Sequence, residues 1–437
     1  MKKKNRREDV TNDNVDLVKK ILFILLALVA YRLGSHIPLP GINTDVLGDI
    51  MLTHSKGMLG MFNVLTGGSL GRMSIFTLNI MPYITASIVM QLVTVISKEF
   101  ADLRKSSEGA RKMGFYTKAL AMFLAVFQGY GITLGLEVLA HKGIALVSEP
   151  GHLFKLTATI CLLSGTVIVI WLADQISSKN IGNGSSIIIF TGIVSGLIPS
   201  CAALFQMGRN GVISTHVILL CTTSVILLVA FIVFMETSEK RIALYHPRRQ
   251  VGNKMYAGDN THLPMKLNVA GVIPPIFASS LLLFPSTIAG FHEGSSLQRV
   301  VANYLAQGKP IYIVLYVFLM FFFCYFYSSI VFNPEETAEN LKKSGCYIPG
   351  VRPGKNTCDY LKNIINRITF IGASYIALVC ALPELIIANS SIPFYIGGTS
   401  VLIVVSVILD LSVKIRIHLL NQRYRHLGNK VNVMRLR

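Results

Sequence analysis

Ten stretches of helix length, almost devoid of charge, restrict the folds open to this chain: residues 21–37, 73–97, 119–136, 156–173, 181–207, 212–235, 267–291, 311–332, 368–382 and 396–409. A bilayer crossing needs roughly 20 mostly apolar residues in a helix, which satisfies its own backbone. With 52% hydrophobic and only 14% charged residues, and a mean hydropathy of +0.56, the chain carries more apolar surface than a water-soluble fold of this length can cover. The first and ninth windows are the weakest, because Arg32 shortens one and Pro383 with Glu384 ends the other. Both charges can reach an interface. Met1–Lys20 has the charged front of a signal peptide, but no small-residue cleavage site follows Tyr31, so an uncleaved first span is expected.

Basic residues set the orientation. Of the 41 Lys/Arg, 33 fall in the N-terminal segment, in alternate loops beginning with residues 98–118, and in the tail; 16 of the 22 Asp/Glu lie with them. That side holds +17 of the +19 net charge, so both termini are expected in the cytoplasm. Positive-inside topology and attraction to anionic lipid explain part of this asymmetry. The loop lengths call for more.

Ten spans divide into five plus five, joined by the short outer connection Gly208–Gly211. An odd number per half forces the halves into opposite topology, the arithmetic of an inverted repeat. The expected fold is an all-α polytopic membrane protein of ten transmembrane helices in two inverted five-helix halves. Residues 1–20 form a cytoplasmic N-terminal segment, 21–207 and 212–413 the two halves, and 414–437 a basic cytoplasmic tail.

Two cytoplasmic loops, 236–266 and 333–367, are long, basic and patterned like folded structure. In the first, IALY and KMYA flank a polar turn with Gly252 and Asn253, as in a hairpin. In the second, Asn333 can cap a helix whose first turn holds Pro334, Glu335 and Glu336 and which ends near Gly345. The turn VRPGKNT then presents Arg352 and Lys355 before a further helix start at Thr357. Ordered basic loops suit a docking platform.

The spans carry little that could do chemistry. Asp174, Glu236 and Asp410 fall at cytoplasmic ends, Glu137 and Glu384 at outer ends, which leaves almost no mid-membrane charge for ion coupling. There is no P-loop, HExxH or nucleophile elbow, and the seven cysteines have neither CxxC nor zinc-like spacing. Neither an enzyme, a metal site nor a cofactor is expected. What the spans do carry is isoleucine at helical spacing, Ile80 with Ile84 and Ile189 with Ile193, each pair on one face. Pro82, Pro274-Pro275 and Gly182-Asn183-Gly184 break the backbone near those faces, and broken backbone at membrane depth needs protein or a cavity beside it. Before the second span, MLGMFNVLTGGSLGRMS is a glycine-interrupted apolar stretch whose Arg72 is the only charge between Lys56 and Lys98.

IMPYITASIVMQL, WLADQISSKNIGNGSSIIIF, THLPMKLNVAGVIPPIFASSLLLFP, NPEETAENLKKSG, IPGVRPGKNT and GGTSVLIVVSVILD, in this order and spread over most of the chain, resemble the signatures of the SecY/Sec61-alpha family of protein-translocase channel subunits. The resemblance implies an hourglass pore between the two halves. By motif position it implies a pore ring of Ile80, Ile84, Ile189, Ile193, Ile276 and Ile403. A closed apolar constriction of this kind is dewetted and blocks ions, yet can fit around an extended chain of any sequence. It also implies an outer plug over about residues 59–72, with Leu59, Met61, Phe62, Leu65, Gly67, Gly68, Leu70 and Arg72, whose glycines suit a segment that leaves and returns. A lateral gate would lie between the second-third and seventh-eighth spans, with Thr85, Ser87 and Gln91 on one side and Asn268 on the other as polar closures. Interhelical hydrogen bonds of that kind are worth only about 0.6–2 kcal/mol each.

Arg248, Arg249 and Lys254 in one loop and Arg352 and Lys355 in the other match the family's docking positions for the SecA motor or the ribosome. Arginine forks onto carboxylates and phosphates alike. The partners implied are SecE and SecG, SecA, the ribosome, membrane lipids, signal sequences, and unfolded secretory or membrane proteins. No small-molecule substrate is implied, and the location is a bacterial inner membrane. The chain departs from the family pattern at Asn79, where glycine is usual before IMPY, at Ser185, where an apolar residue is usual in NGxS, and at Asn253, where a basic one is usual. Asn79 is expected to face another helix. A secondary transporter is the rival reading, since it too uses inverted repeats, but it would require a polar midplane site. A membrane scaffold would leave plug and ring without purpose.

Overall fold

The structure, a computed structural model, describes residues 2–43, 47, 66–138, 140–141, 144–147, 149–211, 214–245, 249–251, 254–256, 260–290, 309–389 and 397–435. In chain order the helices are α1 (Lys2–Gly34), α2 (Met81–Ile96), α3 (Lys98–Lys105), α4 (Ser107–Val138), α5 (His152–Ser178), α6 (Gly184–Arg209), α7 (Thr215–Thr237), α8 (Ile273–Gly290), α9 (Pro310–Val331), α10 (Pro334–Lys343), α11 (Lys355–Asn389) and α12 (Gly398–Arg435). Each of the ten expected spans falls on its own helix, with α3 and α10 as short extras. Six of the described helices are long and apolar enough by themselves to cross a membrane, and α2 is one of two shorter apolar ones. α7 shows the solvent it expects. It is apolar on all sides, and Leu219, Leu220, Ile226, Leu227 and Phe234 are exposed around it, as a helix bordered by lipid or another span requires.

The helix ends follow local chemistry. Asn333 caps α10 by accepting from the Glu335 and Glu336 amides at 3.1 and 3.4 Å, with acids in the first turn and Lys342 and Lys343 in the last. Asn183 caps α6 the same way, and Ser185 adds its hydroxyl to the Asn183 side-chain oxygen at 2.8 Å. That bond is a reason for a serine in NGxS. Asn253 lies outside the described residues.

The second span begins later than its apolar window. Residues 73–80 form a run of turns, and α2 starts only at Met81, with Pro82 in its first turn. Two residues in the run hold positive φ, Met73 at 41° and Asn79 at 50°. Their neighbours close local bonds, Ser74 N to Ser69 O, Thr77 N to Ser74 O and Asn79 N to Phe76 O, at 2.9–3.0 Å. Buried irregular backbone survives here because protein surrounds it. A Cβ at Gly165 of α5 would stand 2.1 Å from the Ile75 carbonyl oxygen, so only glycine lets the turn run against that helix. The seventh span is likewise shorter than its window, since α8 begins at Ile273 and residues 267–272 form a turn. The ninth and tenth are longer, α11 continuing through Pro383 and α12 through most of the basic tail.

On the face carrying the α4–α5 connection, backbone pairing ties three segments. Leu39 N donates to Met73 O at 2.8 Å, Ile75 N to Ile37 O at 3.0 Å, and Asn43 N to Leu146 O at 2.9 Å. That connection also contains the two-residue strands β1 (Ala140–His141) and β2 (Ile144–Ala145). It is clamped where Glu137 meets Lys155 at 2.9 Å and accepts from the Gly151 amide at 3.0 Å. The segments before and after residues 44–72 are thereby fixed to each other and to the end of α4.

The loop between α7 and α8 is a hairpin of β3 (Glu239–Tyr245), β4 (Arg249–Val251), β5 (Lys254–Tyr256) and β6 (Asn260–Lys266). β3 pairs with β6 and β4 with β5, in one continuing register. The pairing differs from the sequence expectation. IALY lies opposite Asn260–Leu263, and KMY opposite Arg249–Val251, because one antiparallel register common to both strand pairs leaves no room for IALY to reach KMYA.

Candidate functional site

The six isoleucines come from the start of α2, from α6, α8 and α12, and they share one apolar cluster. Ile80, Ile189, Ile193 and Ile403 are buried in it, and Ile84 and Ile276 pack against it half-buried. Ile84 N donates to Ile80 O at 3.1 Å, so the first pair sits one turn apart although Ile80 precedes the helix proper. Ile189, Ile276 and Ile403, together with Asn79, Ser279 and Thr399, line a cavity of only about 10 Å³. A volume of that size takes roughly one water. Branched aliphatic side chains from both halves of the chain thus pack together at this cavity.

Asn79 stands at this closure, 2% exposed, with its amide beside the Tyr31 hydroxyl of α1. Its backbone explains its identity. At φ 50° a side chain with Cβ is strained, and asparagine is among the few residues besides glycine that visit the region routinely. The side chain lies near Tyr31 of α1 and also lines the cavity, while the backbone turns the chain from the irregular segment into α2.

Of the plug positions, Leu59, Met61, Phe62 and Leu65 lie outside the described residues. The described end, residues 66–72, is wedged against α6 beside the isoleucines. A Cβ at Gly67 would stand 2.8 Å from the Cα and carbonyl oxygen of Gly192, which lies between Ile189 and Ile193 on α6. Gly67 and Gly68 both take positive φ, 68° and 82°. The Gly67 carbonyl accepts from Arg32 Nη1 at 3.1 Å and Arg72 Nη2 at 3.2 Å, and the Gly68 carbonyl from Arg72 Nε at 3.3 Å. Two guanidinium groups thus tie this segment to itself and to α1. Leu70 is buried in the neighbouring cluster.

The four polar residues assigned to a gate do not meet across the seam. Thr85 donates to Met81 O at 3.1 Å and Gln91 to Ser87 Oγ at 3.2 Å, both inside α2. Asn268 lies five residues before α8, in a turn that it closes itself: Nδ2 donates to Gly271 O at 3.1 Å, and Oδ1 accepts from Gly271 N at 2.9 Å. Its other bond goes to Glu236 Oε1 at the end of α7, at 2.6 Å. Helix side chains found a nearer acceptor on their own helix than across the seam. The contact between α2 and α8 is apolar instead, with Ile88 sharing one cluster with Phe277, Ala278 and Leu282.

The two basic loops are one body, which neither loop announces alone. Ile242, Leu244 and Met265 of the hairpin, Ile348 of the second loop, and Leu361, Ile365 and Ile368 of α11 form a single core. The loops are also joined by backbone, Tyr245 and Tyr347 exchanging N–H to O bonds at 2.9 and 3.1 Å, with their rings stacked at 6.2 Å. The alternation of Ile242 with Leu244 and of Leu263 with Met265 is the signal that could have given the buried face of the hairpin. Arg249 and Lys254 sit on the paired strands β4 and β5, and Arg248 lies outside the described residues. Arg352 and Lys355 are exposed in the turn leading into α11, which starts at Lys355, two residues earlier than expected, with Thr357 Oγ1 donating to Arg352 O at 2.9 Å.

Comparison with known proteins agrees with this architecture. The family model for SecY matches residues 74–412. Protein translocase subunit SecY of Rickettsia typhi is 47% identical over 420 residues, covering 96% of this chain and 97% of the relative. The subunit of the same name from Escherichia coli K12 is 43% identical over 422 residues, covering 96% and 95%. Among solved structures, one described as a protein conducting channel superimposes with a TM-score of 0.64 at 18% identity, covering 92% of this chain and 93% of that one. Sec61 in a canine ribosome-channel complex superimposes with a TM-score of 0.62 at 16% identity, covering 92% and 93%. A family match over most of the chain and full-length relatives above 40% identity lead to one conclusion: the chain belongs to the SecY family.

Proposed function

We propose that this chain is the protein-conducting channel of a Sec translocon, passing unfolded secretory proteins across a bacterial cytoplasmic membrane and releasing apolar segments sideways into the bilayer. The observation that carries this reading is the convergence of six isoleucines in one apolar cluster, three of which, Ile189, Ile276 and Ile403, line a cavity of about 10 Å³. An apolar constriction without charge excludes ions when closed and imposes no sequence on a chain that passes when open. Residues 59–72 act as the plug. The described part is held by backbone carbonyls and a glycine–glycine contact with no apolar anchor deeper than Leu70, an attachment that can be remade after displacement. The gate is the apolar seam of α2 and α4 against α8, where a signal helix competes on equal terms with the residues it replaces.

The chain is a conduit and not a catalyst, so the energy comes from partners. SecA and the ribosome dock on the shared platform through Arg248, Arg249, Lys254, Arg352 and Lys355, with SecE and SecG as companion subunits. Both termini lie in the cytoplasm, with the platform. The test is reconstitution with SecE and SecA in vesicles, followed by a protease-protection assay on a secretory precursor. ATP-dependent protection is expected, and its absence with competent partners would overturn the reading.

A further inference from the structure

The platform is linked to α8 by only six residues, Leu267–Val272. Any displacement of the platform that is to reach α8, and with it Ile276, has to pass through this turn or through the helices at its sides. The turn is held at several points. Leu267 N donates to Ser238 O at 3.1 Å, at the junction of α7 with β3. The Leu267 carbonyl oxygen packs against Gly372 of α11, where a Cβ would stand 2.7 Å away. Asn268, 5% exposed, closes the turn onto Gly271 and donates to Glu236 Oε1 at 2.6 Å. Tyr375 of α11 donates to the same oxygen at 3.4 Å, and its ring meets Phe231 of α7 edge-on at 5.8 Å. One carboxylate oxygen therefore joins α7, the platform-to-α8 turn and α11.

The surroundings make that junction selective. Glu236 forms no ion pair among the described residues, and its oxygen is met by a neutral amide and a phenol. A charged acceptor on a neutral donor gives a short, strong bond, and in a partly buried site it favours one arrangement of the turn over its neighbours. Sliding or tilting of the hairpin against α7 then drags the start of α8 with it, where a merely flexible linker would absorb the motion.

We propose that Glu236, acting through Asn268, is a positioning residue that transmits docking on the cytoplasmic platform to α8. The proposal rests on the channel reading above. Its test is a donor–acceptor exchange in vesicles holding the full chain and its partner subunits, with import and partner affinity measured per folded channel. Asn268→Asp sets two carboxylates against each other. It is expected to lower the maximal ATP-dependent import rate at least fivefold, while the half-saturating motor concentration stays within twofold of wild type. Glu236→Gln combined with Asn268→Asp restores an amide–carboxylate pair in the opposite sense and is expected to recover import to within threefold of wild type. Should Asn268→Asp not insert, Glu236→Gln alone is read instead, with a two- to fivefold loss expected. Wild-type import by Asn268→Asp or, in that event, by Glu236→Gln would overturn the proposal. So would a double variant no better than Asn268→Asp, or a loss that follows partner affinity. Failure of the wild-type vesicles themselves would instead count against the channel reading.

Discussion

Substituting Asn79 by alanine and, separately, by glycine isolates the effect of one backbone angle at the centre of the molecule. The residue holds φ 50°, is 2% exposed, and immediately precedes the first isoleucine of the closure. For an L-residue with Cβ the left-handed region costs roughly 1–2 kcal/mol, whereas glycine has no such cost. Both substitutions remove the same carboxamide from beside Tyr31, so that loss cancels in the comparison. Glycine's extra freedom in the unfolded chain opposes its advantage by about 0.4–1 kcal/mol. The alanine variant should therefore unfold more easily than the glycine variant by about 0.8 kcal/mol (range roughly 0–1.6), about a fourfold ratio of folded to unfolded protein. A denaturant titration in mixed micelles, monitored on both variants side by side, measures it. Because Ile80 follows directly, the alanine variant should also show the higher resting ion conductance in planar bilayers. An advantage for alanine would refute the argument that backbone geometry selects asparagine here.

Three further outcomes test the rest of the site. Replacing Ile84 and Ile276 together by glycine removes two of the six branched side chains, and resting conductance in planar bilayers should rise severalfold; an unchanged current would remove them from the seal. Gly67→Ala combines a φ of 68° with a Cβ 2.8 Å from Gly192, about 1–3 kcal/mol of strain in the seated segment. Residues 66–72 should become more accessible to thiol labelling from the outer side, and wild-type labelling rates would show that the seat tolerates the methyl. Arg352→Glu reverses an exposed charge in the platform turn. It should cut partner-driven import severalfold with normal membrane insertion, and normal import would exclude this arginine from docking.

The architecture was legible in the sequence to the extent that a membrane simplifies folding. A run of apolar residues in hydrocarbon must satisfy its own backbone, so ten windows gave ten helices. Asn333 marked a helix start because capping is decided within three residues. Motif position brought the six isoleucines to one cluster, though spacing had paired only four of them, since Ile276 and Ile403 are far apart in the chain. Errors fell where competition was tertiary. The first eight residues of the second window are as apolar as a helix requires, yet they form turns because α5 presents Gly165 to the backbone of Ile75. IALY reads as a strand, but its partner depended on a register set by the whole hairpin.

Asn268 shows the limit most clearly. By sequence it is a polar residue at the head of an apolar window, and any neighbouring span could have been its partner. In three dimensions it closes its own turn and binds a carboxylate 32 residues away, while the seam it was expected to close is apolar. The sequence by itself determined what burial and short-range bonding enforce: the number of spans, their polarity and the capped start at Asn333. Tertiary structure alone decided which faces meet, that two loops share one core, and that an asparagine before Ile80 answers to a positive φ. Such outcomes depend on contacts between distant residues, and packing chooses among partners that local preference leaves nearly equal in free energy.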